Sequence, residues 1–446
     1  MWGLILCFCL FLASVIVCLC LNWTLLLAVW VGMAAFFLLG LRRGQAPRKM
    51  TTDAWEQGRK MCSVIVIYLL IGAITALWRS AGTIAFFIYH GLQIIQPRLF
   101  LLVAFLLTSF ISYALGTSFG VIGTVGVILL ALARSGGVSA AVTAGVVIAG
   151  SYFGDRCSPA SSSASLVAAA TDTALYDNLR LMHRTGWLPY LVTLAVYGVL
   201  SVLNPLSALD AATLEELSRR FALPLWTALP ALLILLLPLC KIPIRWAMAA
   251  SAAAALAVTV LVQGVPLWTA LRDAVLGYVP APGGLHDVLS GGGVVSMLTA
   301  TVLAISAGLY AGLLGGLGAL DGVRRWAQHL AVRAGLFPAC TAVCVLSGMV
   351  FCNQSTGAVV STQLLRDTYR ELGDGERELA IDIENSGIVL SPLIPWNISV
   401  SIPLHMLGVT AAAIPFAVLL YMIPLCYLFT KRFFRAGQNR VCSERS

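Results

Sequence analysis

The sequence predicts an all-α, polytopic helical membrane protein, with about 10 to 13 membrane spans in two repeat-like halves. The first observation behind this prediction is composition: 59% of the 446 residues are hydrophobic and 11% are charged, whereas soluble domains contain roughly 25% charged residues. The second is a mean hydropathy of +0.92. Each span needs ~20 apolar residues, and lipid forces the backbone to satisfy its own hydrogen bonds as helix. Soluble enzymes, disordered chains and fibrous repeats are therefore excluded.

The expected helices follow from the apolar runs of the sequence. These runs lie at 4–21, 23–41, 61–78, 83–95, 98–115, 119–133, 138–154, 187–203, 224–240, 247–263, 294–318, 337–363, 386–407 and 408–430. Several are short or interrupted by Gly, Pro and Ser, and such runs need not cross the bilayer. The run 337–363 carries polar residues at its middle. We expect it to form a re-entrant hairpin whose tip lines a cavity inside the protein.

Charged loops between the runs divide the chain into five parts. These are a membrane hairpin turning near Asn22 with a basic cytoplasmic loop (1–60), a first transport repeat (61–203), connecting helices and loops (204–293), a second transport repeat (294–430) and a basic cytoplasmic tail (431–446). Basic residues concentrate in loops on the cytoplasmic side of membrane proteins. The basic loop and tail therefore predict that both termini are cytoplasmic.

Four polar clusters lie in or beside apolar runs, where polar groups are costly. They occupy residues 116–120, 154–165, 353–356 and 382–397. Each half thus has a small polar cluster followed, about 40 residues later, by a carboxylate near a Ser-Pro step. This order is typical of paired repeats with interrupted helices, which form the substrate site near the membrane midplane in secondary transporters.

Interrupted helices supply oxygen ligands, because Pro removes a backbone donor and Gly lets the chain unwind. Freed carbonyls, hydroxyls and a carboxylate suit Na⁺, and the carboxylate alone suits a proton. The strongest candidate is Asp155, whose alternative role is a helix-end charge paired with Arg156. The candidate ion- or substrate-binding residues are Asp155, Ser158, Ser161, Ser162, Thr117, Ser118, Asn353, Gln354, Glu384, Ser386, Ser391 and Asn397, with helix breaks at Pro159, Pro392 and Pro395. The alternative for Glu384 is a solvated helix start, and for the small residues it is helix packing.

Other chemistries lack a motif in this sequence. Most of the 12 cysteines lie inside apolar runs, so we interpret them as packing residues rather than disulfides or metal ligands. The chain has neither an H-E-x-x-H zinc motif nor a G-x-x-x-x-G-K-[ST] phosphate loop, so we expect no resident metal, no cofactor and no ATP-driven pump. The net charge of +9 sits in short loops, which favours membrane lipid rather than nucleic acid as a partner.

Three motifs carry a resemblance to a known family. The stretch 116–120 (GTSFG) resembles that family's Gly-(Thr/Ser)-Ser-Trp-Gly step, and 154–159 (GDRCSP) resembles its Phe-Gly-Asp-x-x-Ser-Pro step. The stretch 391–397 (SPLIPWN) is similar to its Ser-Pro-Leu-Ile-Pro-Trp-Asn segment. At these motifs the chain resembles the NhaC-type Na⁺/H⁺ antiporters. The resemblance implies a secondary transporter that exchanges Na⁺ for H⁺.

The chain departs from the family pattern at several polar positions. Ser162, Asn353 and Asn385 are neutral where the family is usually acidic, and Ile388 replaces a hydroxyl residue. Fewer anionic ligands weaken the electrostatic attraction for a cation. Our hypothesis is that coupling differs in this chain, either through protons alone or through transport of a small organic anion, as in relatives of the wider family that exchange carboxylates.

We therefore expect a secondary antiporter rather than an enzyme, multi-pass in the cytoplasmic membrane and compatible with a homodimer. The nearest rival is an organic-acid antiporter on the same fold, in which Arg156 would bind the anion. A membrane-embedded enzyme would need a nucleophile–base pair or a metal motif, and neither is present in the sequence. A passive channel fits two non-equivalent broken helices less well than alternating access does.

Overall fold

The computed structural model describes residues 2–21, 23–60, 62–94, 96–206, 211–240, 242–280, 289–315, 320–372 and 375–443. Within these ranges the regular structure is helical, and the β-type pairing consists of one bridge between Tyr278 and Gly291. The expected all-α fold class is thus confirmed. The predicted turn at Asn22 lies outside the described residues.

The helices are numbered here in chain order. In the first part of the chain they are α1 (Trp2–Cys20), α2 (Leu25–Arg42), α3 (Pro47–Lys60), α4 (Cys62–Ser80), α5 (Thr83–Ile94), α6 (Phe100–Leu115), α7 (Ser118–Val121), α8 (Val127–Ser135), α9 (Ala140–Cys157), α10 (Ser162–Ala170) and α11 (Leu175–Leu203). A π-helical segment, Ile122–Gly126, joins α7 to α8.

The remaining helices cover the connecting part and the second half. They are α12 (Ala211–Arg220), α13 (Leu229–Leu239), α14 (Ile244–Leu261), α15 (Leu267–Leu276), α16 (Leu298–Gly315), α17 (Leu320–Ala334), α18 (Leu336–Phe351), α19 (Gln354–Glu371), α20 (Gly375–Glu384), α21 (Gly387–Leu390), α22 (Ile398–Leu407) and α23 (Val418–Ser443). Short 3₁₀ turns precede or interrupt several of them, including Ser391–Leu393 directly after α21.

The helix lengths are those of a multi-pass membrane protein. Within the described residues, five helices are long and apolar enough to cross a membrane, and the number is up to seven if each of two bent helix pairs is one span. The bent pairs are Ile65–Ser80 with Thr83–Gly91, at 64°, and Gly375–Leu393 with Ile398–Leu407, at 46°. Five shorter apolar helices add further candidates. The expected count of about 10 to 13 spans stays a prediction.

Helices α6 and α9 form the closest helix contact of the first half. A Cβ atom added to Gly154 of α9 would lie 2.0 Å from the backbone carbon of Ser112 on α6, and one on Gly150 would lie 2.1 Å from Thr108 Oγ1. The hydroxyl of Ser112 donates a hydrogen bond to the Ser151 carbonyl. Small residues let two backbones approach in this way in membranes, and here they fix the end of α9 against α6.

Helices α18 and α19 form an antiparallel hairpin. The Tyr369 hydroxyl, near the end of α19, donates to the carbonyl of Leu336 at the start of α18 over 3.4 Å. Near the turn, an added Cβ on Gly357 would lie 3.4 Å from the backbone nitrogen of Gly348. A helical hairpin is therefore present where 337–363 predicted one, with its turn at Cys352 and Asn353. That this hairpin is re-entrant stays a prediction.

Candidate functional site

The two halves contain the same tight turn between a pair of helices. Between α6 and α7, Gly116 has φ/ψ of 68°/27° and Thr117 has −144°/128°. Between α18 and α19, Cys352 has 53°/17° and Asn353 has −144°/127°. We call 116–118 the first tip and 352–354 the second tip. Their matching backbone supports the prediction of paired repeats.

The helix after each tip begins with the same type of cap. The Oγ1 atom of Thr117 accepts a hydrogen bond from the backbone N–H of Gly120 at 3.4 Å. The Oδ1 atom of Asn353 accepts one from the N–H of Thr356 at 3.0 Å. Both side chains satisfy a helix-start donor that would otherwise lack a partner. This local role accounts for the polarity of Thr117 and Asn353, and leaves the next residue of each tip directed inward.

A first break separates α9 from α10 and comprises residues 158–161. Ser158 ends α9 and its Oγ accepts from the Ala160 N–H at 3.1 Å. Ser161 begins α10: its Oγ accepts from the Ala164 N–H at 3.1 Å and donates to the carbonyl of Asp155. Pro159 is exposed. The two serines of the first break thus end α9 and begin α10. The carbonyl of Asp155, at the end of α9, lies beside them.

The carboxylate of Asp155 lies in the last turn of α9 and is 5% exposed. Ser163 Oγ on α10 donates to its Oδ2 at 3.0 Å. The side-chain amide of Gln354 and the backbone N–H of Ser118 also lie within reach of this carboxylate. Since Ser118 is the first residue of α7, the positive end of that helix dipole favours a negative charge on Asp155. Residues of both tips therefore converge on one buried carboxylate.

A second break, residues 391–397, separates α21 from α22 and is joined to the second tip. Trp396 Nε1 donates to the Met349 carbonyl at 3.0 Å, and Asn397 Nδ2 donates to the Gly348 carbonyl at 2.9 Å. The Ile398 N–H donates to the Cys352 carbonyl at 2.8 Å. These carbonyls end α18, where helical partners run out. The family-like stretch 391–397 thus caps the second tip.

Gln354 connects the two breaks. Its Nε2 atom donates to the carbonyl of Ile388 on α21 at 2.9 Å, and its amide lies beside Asp155 on α9. Tyr152, one turn before Asp155, donates its hydroxyl to the Ser399 carbonyl on α22 at 2.5 Å. The ends of α9, α21 and α22 therefore meet around the second tip, with Asp155 at the point of contact.

A second polar group lies beside Asp155 around Arg156, which is 1% exposed. Its Nη2 donates to Thr185 Oγ1 at 3.2 Å and to Oδ1 of Asn385, which lies between α20 and α21. Glu384 is fully buried, and neither of its carboxylate oxygens has a hydrogen-bond partner. Within the described residues no ion pair of 4.0 Å or less joins Glu384 to Arg156, although the two charges interact at longer range.

The sequence comparisons identify the family. The model of the Na⁺/H⁺ antiporter family matches residues 1–171 and 152–431. This chain belongs to the Na⁺/H⁺ antiporter family. The resemblance inferred from the three motifs is confirmed.

Several antiporters are similar to this family member over most of their length. The malate-2H⁺/Na⁺-lactate antiporter of Bacillus subtilis is 26% identical over 424 residues, covering 93% of this chain and 91% of the relative. The Na⁺/H⁺ antiporter NhaC of Alkalihalophilus pseudofirmus is 25% identical and covers 81% and 79%. The arginine/ornithine antiporter ArcD of Halobacterium salinarum is 27% identical and covers 75% and 70%.

The structure brings only some of the predicted site residues of this family member to Asp155. Ser118, Ser161 and Gln354 are adjacent to it, as described above. Ser162 is exposed. The hydroxyl of Ser386 donates to the Asp382 carbonyl at 2.6 Å, and that of Ser391 donates to the Gly387 carbonyl at 2.7 Å. Ser386 and Ser391 are therefore engaged with their own helices.

Two residues of the site were missed by the sequence analysis, namely Ser163 and Tyr152. The signal for Ser163 was the helix cap at Ser161. Because α10 begins directly after Ser161, the side chain of Ser163 is buried and that of Ser162 is exposed. Tyr152 lies one turn before Asp155 on the same apolar run, and no sequence signal distinguished it from a packing residue. Arg156 entered only as an alternative partner for Asp155 or for an anion.

Proposed function

We propose that this protein is a secondary active antiporter that exchanges Na⁺ for H⁺ across the cytoplasmic membrane, with Asp155 as the shared binding group. The observation that carries this proposal is the buried Asp155 carboxylate at the meeting point of two tips and two interrupted helices. An ionisable group buried at such a position in a membrane protein is a transport-site hypothesis by default. Family membership supports the same conclusion.

The chemistry of exchange follows from the ligands around Asp155. The carboxylate, the Ser163 hydroxyl and nearby backbone or amide oxygens form a hard oxygen set, which suits Na⁺. A carboxyl group that carries a proton no longer offers Na⁺ its negative charge. Binding of one ion therefore excludes the other, and exchange results when each ion leaves on a different side. The break residues Pro159, Pro392 and Pro395 would let the surrounding helix ends move separately.

Under this proposal the cargo is Na⁺ and H⁺, with the protein multi-pass in membrane lipid and both termini cytoplasmic. The membrane helices and the antiporter relatives support the transport role over an enzyme. A homodimer is compatible with this arrangement, and the two transport repeats at 61–203 and 294–430 would each supply one tip and one break to the site.

A second candidate function is exchange of a small organic anion on the same scaffold. The buried guanidinium of Arg156 favours it, as do the neutral residues Asn353 and Asn385. The relative named for malate and lactate fits this candidate. Against it, Arg156 already donates to Thr185 and Asn385, so an anion would have to displace neutral partners.

Everted membrane vesicles or proteoliposomes with an imposed pH gradient test the proposal. We expect Na⁺ to dissipate the gradient and Asp155→Asn to reduce the exchange rate about 100-fold, because a lost ion–carboxylate contact of ~3 kcal/mol corresponds to two powers of ten. Asp172→Asn is the matched control, since the Asp172 side chain is 72% exposed. Full Na⁺ exchange by Asp155→Asn, or a response to carboxylates alone, would refute the assignment.

A further inference from the structure

We infer that Glu384 is a second, proton-only site, so that each turnover moves two protons against one Na⁺. This inference rests on the proposed function and adds a stoichiometry to it. Its starting point is geometric. Glu384 ends α20 immediately before the helix interruption at Asn385 and Ser386, is fully buried, and has two unpartnered carboxylate oxygens.

An ionised carboxylate without hydrogen bonds is costly in a buried position. It must take up a proton, bind a cation or draw on a nearby positive charge. The charged and titratable groups that face Glu384 in the described structure are Arg156, Asp155 and Cys157, all on α9. Arg156 can support the ionised form from a distance, while a proton supports the neutral form. Glu384 thus has two accessible states, as a proton carrier requires.

The surroundings of Glu384 suit a proton and not Na⁺. Na⁺ requires several oxygen ligands, but the unpartnered buried atoms next to Glu384 along the chain and on Arg156 are donors: Asn385 Nδ2 and Arg156 Nε. The guanidinium of Arg156 also repels a metal cation. Asp155 differs in its oxygen ligands, since the Ser163 hydroxyl lies 3.0 Å from its carboxylate and the side-chain amide of Gln354 is within reach. The two carboxylates therefore divide the cargo, Na⁺ or H⁺ at Asp155 and H⁺ alone at Glu384.

The two sites are coupled through α9 and through space. Arg156 follows Asp155 directly in the chain and donates to Asn385, the residue after Glu384. The two carboxylates repel each other, so that ionisation of one disfavours ionisation of the other. Both carboxyl groups take up protons when the site faces one side of the membrane and release them when it faces the other. There Na⁺ replaces only the proton of Asp155 and neutralises that carboxylate, so that ionised Glu384 is not repelled. One Na⁺ then exchanges for two protons, and one net positive charge crosses the membrane in each cycle.

Paired flux measurements in proteoliposomes test this inference, with ²²Na⁺ uptake and a pH-sensitive dye read under a potassium–valinomycin voltage clamp. We expect the wild-type protein to move two protons per Na⁺ and to respond to voltage. Glu384→Gln should move one proton per Na⁺, lose the voltage response and keep the Michaelis constant for Na⁺ within about twofold. Glu384→Asp should retain the ratio of two.

Each outcome decides the inference separately from the proposed function. A wild-type protein without Na⁺-dependent proton flux contradicts the proposed function itself. A wild-type ratio of one, or an unchanged ratio of two in Glu384→Gln, overturns only the second site.

If Glu384→Gln does not fold, Glu384→Met, of similar length and apolar, replaces it. A folded variant that loses all exchange also overturns the inference, because the two sites would then not be separable. Glu376→Gln, in the first turn of the same helix, is the control and should behave as wild type.

Discussion

The two breaks have the same order of residues but different chemistry. Ahead of each break, a glycine and the residue after it are followed, three positions later, by a Ser-Pro step: Gly154 and Asp155 before Ser158, Gly387 and Ile388 before Ser391. The position after this glycine therefore holds a carboxylate ahead of the first break and an isoleucine ahead of the second. Gln354 relates the two positions, since it donates to the Ile388 carbonyl and its amide lies near the Asp155 side chain. A pair of similar turns can thus build a single asymmetric ion site.

The two tips differ in how much room they leave for a side chain. Gly116 and Cys352 share the left-handed conformation, which costs a non-glycine residue about 1 to 2 kcal/mol. An added Cβ on Gly116 would lie 2.4 Å from the backbone carbon of Ala160 in the first break. Cys352 has a side chain that is buried without such an overlap. The first tip is therefore pressed against its break, whereas the second tip is held by hydrogen bonds.

Gly116→Ala is expected to have the largest effect on stability. The left-handed conformation and the overlap with Ala160 together predict a loss of roughly 3 kcal/mol in the free energy of unfolding. Because the overlap displaces the first break, Na⁺ exchange should fall as well. Thermal unfolding in detergent and vesicle exchange measure the two effects.

Cys352→Ala is the matched control for this substitution. It keeps a Cβ in the same conformation, so we expect a change below about 1 kcal/mol and near-normal exchange. Equal damage from Gly116→Ala and Cys352→Ala would show that the two tips are packed alike and would remove the proposed difference.

Ser163→Ala should have the next largest effect, on ion affinity rather than on stability. A hydrogen bond to a charged group contributes about 1.5 kcal/mol or more, so the Michaelis constant for Na⁺ should rise about tenfold. Ser162→Ala changes the neighbouring, exposed hydroxyl and should leave the constant unchanged. If Ser162→Ala weakened Na⁺ binding more than Ser163→Ala did, the assignment of Ser163 to the ion site would be wrong.

The sequence was sufficient to predict the helical membrane fold, the hairpin at 337–363 and the family. It also singled out Asp155, because a carboxylate between an apolar run and a Ser-Pro step is conspicuous. It could not choose between Ser162 and Ser163, since that choice depends on which residue starts α10. The sequence also could not predict that Arg156 lies beside Asn385, because more than half of the chain separates these two residues. Contacts between distant segments carry no local pattern, and the asymmetry of the site consists of such contacts.

Trp396→Phe gives the smallest expected effect and tests how the second tip is held. The variant keeps the aromatic contact with Phe11, whose ring centroid lies 6.3 Å away, but removes the hydrogen bond to the Met349 carbonyl. Loss of one such bond predicts a decrease of about 1 kcal/mol in the free energy of unfolding. Hydrogen exchange should accelerate at backbone amides of 349–354 and stay unchanged at 113–118, because the first tip has no corresponding indole. Faster hydrogen exchange at both tips would show that the second break stabilises the first tip as well as the second. The proposed difference between the two tips would then be wrong.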